Sequence, residues 1–384
     1  MRKARERYAR YYQTYAKDHP EDWQWFDIEW SQIRQAWESA SESYDLVLDY
    51  LEVMSDFMKA RGMLRDLIQW DQKGADFAQV RDQSEARALL LNNIAVCYQE
   101  LGEQLKALET YEKALTIRRD KGDKRGETQT LINIGHAFYE SGDLDRSVDI
   151  YQQALDLARE NHDTYQEGAV LNNIGAVHKS LGNFEKALEY YNRSLEIRSE
   201  SGDKTGQAAC LNNIGCLYLD SSNVDSAQSF LERALSLTRE VGDRANEATV
   251  ISNLGLLYKA NGNLPEAIKL IEQAINIGQE IDQKRLVATA LNGLGLIYRM
   301  LDDHQMALDY FERAYSVARK SGYQVIEGVV VNNIGLVHAD FEDWVRAREF
   351  YEGALEIFRK TNYKPGEKEV LNKLSAIEKT NKET

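Results

Sequence analysis

Proline is nearly missing from this chain, with three residues in 384, at Pro20, Pro265 and Pro365. An interior proline breaks or kinks a helix, so its scarcity leaves room for helices throughout. Long hydrophobic runs are missing too, and no stretch approaches the ~18 apolar residues of a transmembrane helix. The basic start from Met1 to Arg7 has no apolar run behind it, so no secretory signal is expected. Cysteine is limited to Cys97, Cys210 and Cys216, without CxxC spacing. That excludes a disulfide framework and a structural zinc site, and it fits a reducing, cytoplasmic setting. Positive charge is in deficit, 47 basic against 62 acidic residues for a net charge of −15. Phosphate-rich partners need a basic face, so neither nucleic acid nor an anionic membrane is expected as a partner.

Chemistry-bearing patterns are absent as well. His19, His136, His162 and His304 show no metal spacing with cysteines or carboxylates. His178 and His338 stand where other copies of the pattern below carry tyrosine, which marks them as core. No Gly-x-x-x-x-Gly-Lys-[Ser/Thr], Gly-x-Ser-x-Gly or Cys–His arrangement occurs. The expectation is a protein with no enzymatic activity, no metal and no cofactor.

What is present is a beat of 40 residues. Leu91, Leu131, Leu171, Leu211, Ile251, Leu291, Val331 and Leu371 fall at equal steps. Two residues behind them come Asn93, Asn133, Asn173, Asn213, Asn253, then Gly293, then Asn333. A fixed period of this size means stacked supersecondary units. In the copy beginning near Gly168, one helix carries Val170, Leu171, Ile174, Val177 and His178, and Gly182-Asn183 turn the chain. The second helix carries Ala187, Tyr191, Ser194, Leu195 and Ile197. Gly202 then suits a helix C-terminus and Asp203 the next N-cap.

Mid-helix glycines recur at Gly175, Gly215, Gly255, Gly295 and Gly335, although each costs ~1 kcal/mol against alanine. Close helix contact is the expected reason, with Ala187, Ala227, Ala267, Ala307 and Ala347 as the facing small surface.

The segments follow from this register. Residues 1–40 hold Trp23, Trp25, Trp30 and Trp37 and read as a helical cap, with helices from Arg7 to Lys17 and from Asp22 to Ala40. Residues 41–82 read as a degenerate first repeat, 83–365 as seven clear repeats, and 366–384 as a capping helix and tail. The fold expected is an all-α solenoid.

The copies Leu211-x-x-Ile214-Gly215-x-x-Tyr218 with Ala227-x-x-x-Leu231, and Ile251-x-x-Leu254-Gly255-x-x-Tyr258 with Ala267-x-x-x-Ile271, resemble the tetratricopeptide repeat (TPR). The resemblance implies antiparallel helix pairs wound into a right-handed superhelix. The longer 40-residue form, opening on Leu-Asn-Asn-Ile-Gly, is similar to the repeats of kinesin light chain and of Pins-type scaffolds. Both families bind extended peptides in a concave groove. The stretch from Arg7 to Tyr12, followed by Trp25, Glu29 and Ile33 to Trp37, resembles the segment before the repeat arm of STAND-type regulatory ATPases. A phosphate-binding loop is missing here, so that resemblance implies a sensor arm without nucleotide binding.

By the same resemblance, one arc of each first helix lines the groove. Asparagine is a poor helix residue, at ~0.5–0.7 kcal/mol, yet the pairs Asn92-Asn93, Asn172-Asn173, Asn212-Asn213 and Asn332-Asn333 recur. A carboxamide offers an acceptor and two donor hydrogens, the complement of a peptide backbone. The expected peptide-binding set is therefore Asn93, Asn133, Asn173, Asn213, Asn253 and Asn333, with Asn172 and Asn212 beside them. The alternative is that these amides bond neighbouring helices. Lys179, Lys259 and Arg299 add positive charge on the same arc, and Glu100, Glu140, Asp220 and Asp340 add negative charge. Cys216, Leu256, Leu296 and Leu336 make the C-terminal half apolar. The lysine clamp of chaperone-binding relatives has no counterpart, because its positions hold Ile132, Asn172 and Ser252. The leading expectation is a scaffold for an extended peptide or partner segment. A sensor arm and a self-assembling module are the rivals.

Overall fold

The computed structural model describes residues 2–20, 22–40 and 43–383. Met1, Glu21, Ser41, Glu42 and Thr384, at the edges of the expected segments, lie outside them. Among the described residues there are nineteen helices and no strand. Helix α1 spans Arg2–Asp18 and α2 spans Trp23–Ala40, so α1 starts earlier than Arg7. Next come α3 (Tyr44–Ala60), α4 (Leu64–Val80), α5 (Ser84–Glu100), α6 (Gln104–Lys121), α7 (Lys124–Ser141) and α8 (Leu144–Glu160). They are followed by α9 (Thr164–Ser180), α10 (Phe184–Glu200), α11 (Lys204–Asp220), α12 (Val224–Val241), α13 (Arg244–Ala260) and α14 (Leu264–Glu280). The last five are α15 (Lys284–Met300), α16 (His304–Lys320), α17 (Gln324–Asp340), α18 (Trp344–Lys360) and α19 (Lys364–Glu383). From α3 onward each helix begins 20 residues after the one before.

The turn chemistry sets that interval. Between Gly62 and Asn362 every twentieth residue takes a positive φ: nine glycines and seven other residues, among them Asp82, His162 and Glu342. Glycine takes this conformation without penalty. The residue after it then starts the next helix. Asp203 Oδ1, for example, accepts the Gly206 N–H at 2.9 Å, and Asp143, Asp163, Asn223, Asp243, Asn263, Asp303 and Asp343 accept in the same way.

The mid-helix glycines are where paired helices touch. A Cβ on Gly175 would stand 2.7 Å from the Tyr191 ring, and one on Gly295 would stand 2.5 Å from the Phe311 ring. The facing surface is therefore an aromatic or branched side chain four residues beyond the expected alanine. The Ala227 and Ala267 carbonyl oxygens also approach, each 3.3 Å from such a Cβ.

The chain forms two compact units, 1–130 and 131–384. In the first, the early tryptophans are core. Trp37 stacks on Trp70 at 4.1 Å between ring centroids, Trp30 stacks on the same ring at 5.8 Å, and Phe26 and Phe57 are fully buried beside them. One polar group interrupts this core. Asp71 on α4 is 1% exposed, and neither of its carboxylate oxygens has a hydrogen-bond partner. Burial pushes its carboxyl up to about 7, against the opposing pull of Lys59. Burial, helped by the Asp71 charge, also pushes the Cys97 thiol up to about 12.

Candidate functional site: the inner face of the second unit

In the second unit the first helices of successive pairs, α9, α11, α13, α15 and α17, touch one another in series. The second helices pack on their own partners and on the next first helix instead. A stack built this way bends with its first helices inside, so their free arc forms a concave face.

Along this face the paired asparagines bond from one repeat to the next. Asn213 Nδ2 donates to Asn172 Oδ1 at 2.9 Å. Asn253 Nδ2 donates to Asn212 Oδ1 at 2.8 Å, and Asn333 Nδ2 to Asn292 Oδ1 at 2.8 Å. The amides thus fasten neighbouring helices, the alternative left open from sequence. Each bond uses one of the two Nδ2 hydrogens of the second asparagine. The Oδ1 atoms of Asn213 and Asn253, both partly exposed, keep their accepting capacity.

Asn173 differs from these. The acceptor position across from it is Ile132, and the Asn173 side chain makes no hydrogen bond among the described residues while staying partly exposed. At the far end, Asn332 and Asn333 are buried, at 3% and 6% exposure. Asn332 donates to Glu369 at 3.2 Å and accepts from Lys373 Nζ at 3.0 Å. That end of the row joins α17 to α19. Asn133 lies at the start of the row in this unit, and Asn93 lies on α5 in the first unit.

A second row runs two turns further along the same helices, again linking residue i to residue i+41. Tyr139 Oη meets Ser180 Oγ at 3.1 Å. Lys179 Nζ pairs with Asp220 at 3.0 Å, and Arg299 Nη2 donates to Asp340 Oδ1 at 2.8 Å. Two of the three expected basic residues are therefore neutralised by the acids expected beside them. Lys259 is not. Its counterpart at i+41 is Met300, it has no ion pair or hydrogen bond among the described residues, and it is partly buried. Burial holds its ammonium below the usual lysine range. Around it the face is apolar, with Leu256 at 37% exposure and Met300 at 55%, and with Leu296 partly buried.

Reactive groups are subdued. Burial pushes the Cys216 thiol up to about 11, far from a thiolate nucleophile at neutral pH. His178 is buried and stacks on Tyr190 at 5.4 Å, and burial lowers its pKa. His338 stacks on Phe350 at 5.1 Å. No group of three or more His, Cys, Asp or Glu side chains that could hold a metal occurs among the described residues. No helix among them is long and apolar enough to cross a membrane.

Sequence reasoning did not foresee one further contact. Arg285, at the start of α15, donates to Glu140, at the end of α7, at 3.3 Å. A Cβ on Gly142, just beyond Glu140, would lie 2.7 Å from the ring of Pro365 at the start of α19. The start of this unit thus abuts its later helices.

Fold and inner face together define a helical-repeat protein built to present a groove. The sequence model of the tetratricopeptide repeat family matches residues 82–160, 166–240 and 246–320, and the chain belongs to that family. No curated protein matches the chain. Among solved structures, the chain is similar to the apo form of the quorum sensor NprR from B. thuringiensis. That pair is 16% identical, with a TM-score of 0.56 over 89% of this chain and 98% of the other. It is also similar to the Rap conjugation gene regulator of the plasmid pLS20 in complex with the Phr* peptide, at 16% identity and a TM-score of 0.50 over 83% and 96%. A STAND protein with a tetratricopeptide repeat sensor from Pyrococcus horikoshii gives 15% identity and a TM-score of 0.50, over 82% of this chain and 50% of the other. At these identities the likeness is one of fold.

Proposed function

We propose that the protein is a non-catalytic interaction scaffold that holds an extended peptide segment against the inner face of its second unit. The observation that carries this reading is the unused amide capacity along that face: the whole of the Asn173 amide and the acceptors of Asn213 and Asn253. Packed helices sit ~8–10 Å apart and an extended chain advances ~3.3 Å per residue. One repeat then spans about three peptide residues, so the amides meet a backbone at regular intervals. The fold shared with a regulator solved in complex with a peptide supports the reading.

A second reading, a sensor arm within a signalling system, draws on the fold shared with the STAND sensor. It uses the same groove and differs in what responds to occupancy. Under either reading we place the protein in the cytoplasm, in keeping with its three free cysteines.

Asn173→Ala is the decisive variant, because its side chain has no intramolecular bond to lose. A random decapeptide library displayed on phage and panned against the full chain supplies the probe. Peptides selected on the wild type should bind Asn173→Ala more weakly at wild-type stability, and Asn173→Ala with Asn213→Ala at least tenfold more weakly, the second change also removing the Asn213–Asn172 bond. Unchanged binding by the double variant removes the amides from the site.

A further inference from the structure

The second row of contacts makes one position stand out, and the inference drawn from it rests on the peptide reading above. At two of its steps a basic residue is answered by an acid 41 residues on: Lys179 by Asp220 and Arg299 by Asp340. At the step between α13 and α15 the basic residue is present and the acid is replaced by Met300. We propose that Lys259 is the anion-reading position of the groove, and that it takes a side-chain carboxylate of the bound peptide flanked by apolar residues.

Three observations converge on that occupant. Lys259 is partly buried and its ammonium has no ion pair or hydrogen bond among the described residues, and a cation that has lost part of its hydration without gaining a partner favours an incoming anion. The side chains around it are apolar and accessible, Leu256 at 37% and Met300 at 55% exposure, so the neighbours of the incoming carboxylate are apolar as well. The amides of Asn213 and Asn253 lie on the same helices or on the adjoining one, so a backbone held by them carries its side chains past Lys259. Arrival of a carboxylate would also lift the ammonium from its burial-lowered range.

The test uses the full chain and the phage-displayed decapeptide library. Selected peptides are resynthesised with each Glu or Asp changed to Gln or Asn, and separately with the C-terminus amidated. The expected result is an enriched acidic residue with apolar neighbours, whose amide replacement weakens wild-type binding at least about tenfold, as loss of a charge-assisted contact does. Lys259→Met should show the same loss for the acidic peptide and no further loss for its amide form. Lys259→Arg should restore binding, and Lys186→Met on exposed α10 should change nothing. The proposal is overturned if the selected peptides tolerate Glu→Gln, if Lys259→Met binds acidic peptides as the wild type does, or if only C-terminal amidation weakens binding. A library that yields no binder overturns the peptide reading itself, whereas binders indifferent to acidity overturn only the role of Lys259.

Discussion

Two glycines of α15, two positions apart, should respond to alanine in opposite directions. A Cβ added to Gly293 meets only Ile271 Cδ1, at 3.8 Å, an ordinary contact. Gly293→Ala therefore keeps the helix-propensity gain of about 1 kcal/mol. A Cβ on Gly295 would stand 2.5 Å from Cε1 and 2.6 Å from Cδ1 of Phe311. That ring is fully buried in one apolar cluster with Tyr310, Ala314 and Val330, and a close-packed core leaves it little room to move. Overpacking of this kind costs about 1–3 kcal/mol, which cancels or exceeds the same propensity gain. The pair should thus be separated by about 1–3 kcal/mol, with Gly293→Ala above the wild type and Gly295→Ala at or below it. Equilibrium urea unfolding of the full chain, followed by far-UV circular dichroism, reads the difference as a shift in midpoint. If Gly295→Ala proves as stabilising as Gly293→Ala, the close helix contact at Phe311 is wrong, and with it the account of why glycine recurs at this register.

Other variants probe different links. Asp71 holds its proton up to about pH 7 when folded but only to ~3.9 when unfolded, so folding takes up a proton in between. Its contribution is fully favourable below the unfolded value and is lost as pH rises through the folded one. Ionised, it costs about 4 kcal/mol. Asp71→Asn should raise the urea midpoint strongly at pH 8 and little at pH 4, and a pH-independent gain would contradict the buried, unpartnered carboxyl. For the bond between Asn253 and Asn212, a double-mutant cycle with alanine should give a coupling of ~0.5–1.5 kcal/mol; strictly additive unfolding energies would mean the amides do not meet.

The period, the turns and the caps were legible in the sequence because their causes are local. Gly202-Asp203 specifies a left-handed residue and an N-cap whatever lies nearby. That the asparagines and Lys179, Lys259 and Arg299 share one face of their helices was legible for the same reason, since residues three and four apart lie together; the groove itself came from the family resemblance. What each residue does there depends on the next repeat, and that was only half visible. The acids opposite Lys179 and Arg299 were on the page, but their pairing at a step of 41, and the gap at Met300, needed the stacking geometry. Asn173 and Asn213 look equivalent in the sequence and differ because Ile132, not an asparagine, stands behind Asn173. Asp71 carried a signal that could have been used: it sits four residues after Leu67 and three or four before Gly74 and Ala75, on the buried stripe of α4. The contact of Glu140 with Arg285 had none, because it joins residues 145 apart in the sequence.

That contact bears on kinetics. Glu140 meets Arg285 and Gly142 lies against Pro365, so α7 is tied to the later helices α15 and α19 of the same unit. For a strand bound as proposed, entry between these helices requires that tie to part. Parting breaks an ion pair whose members are 29% and 62% exposed, a weak latch at physiological salt. Loading should then be slow and hastened by added salt, and a bound strand should be slow to leave.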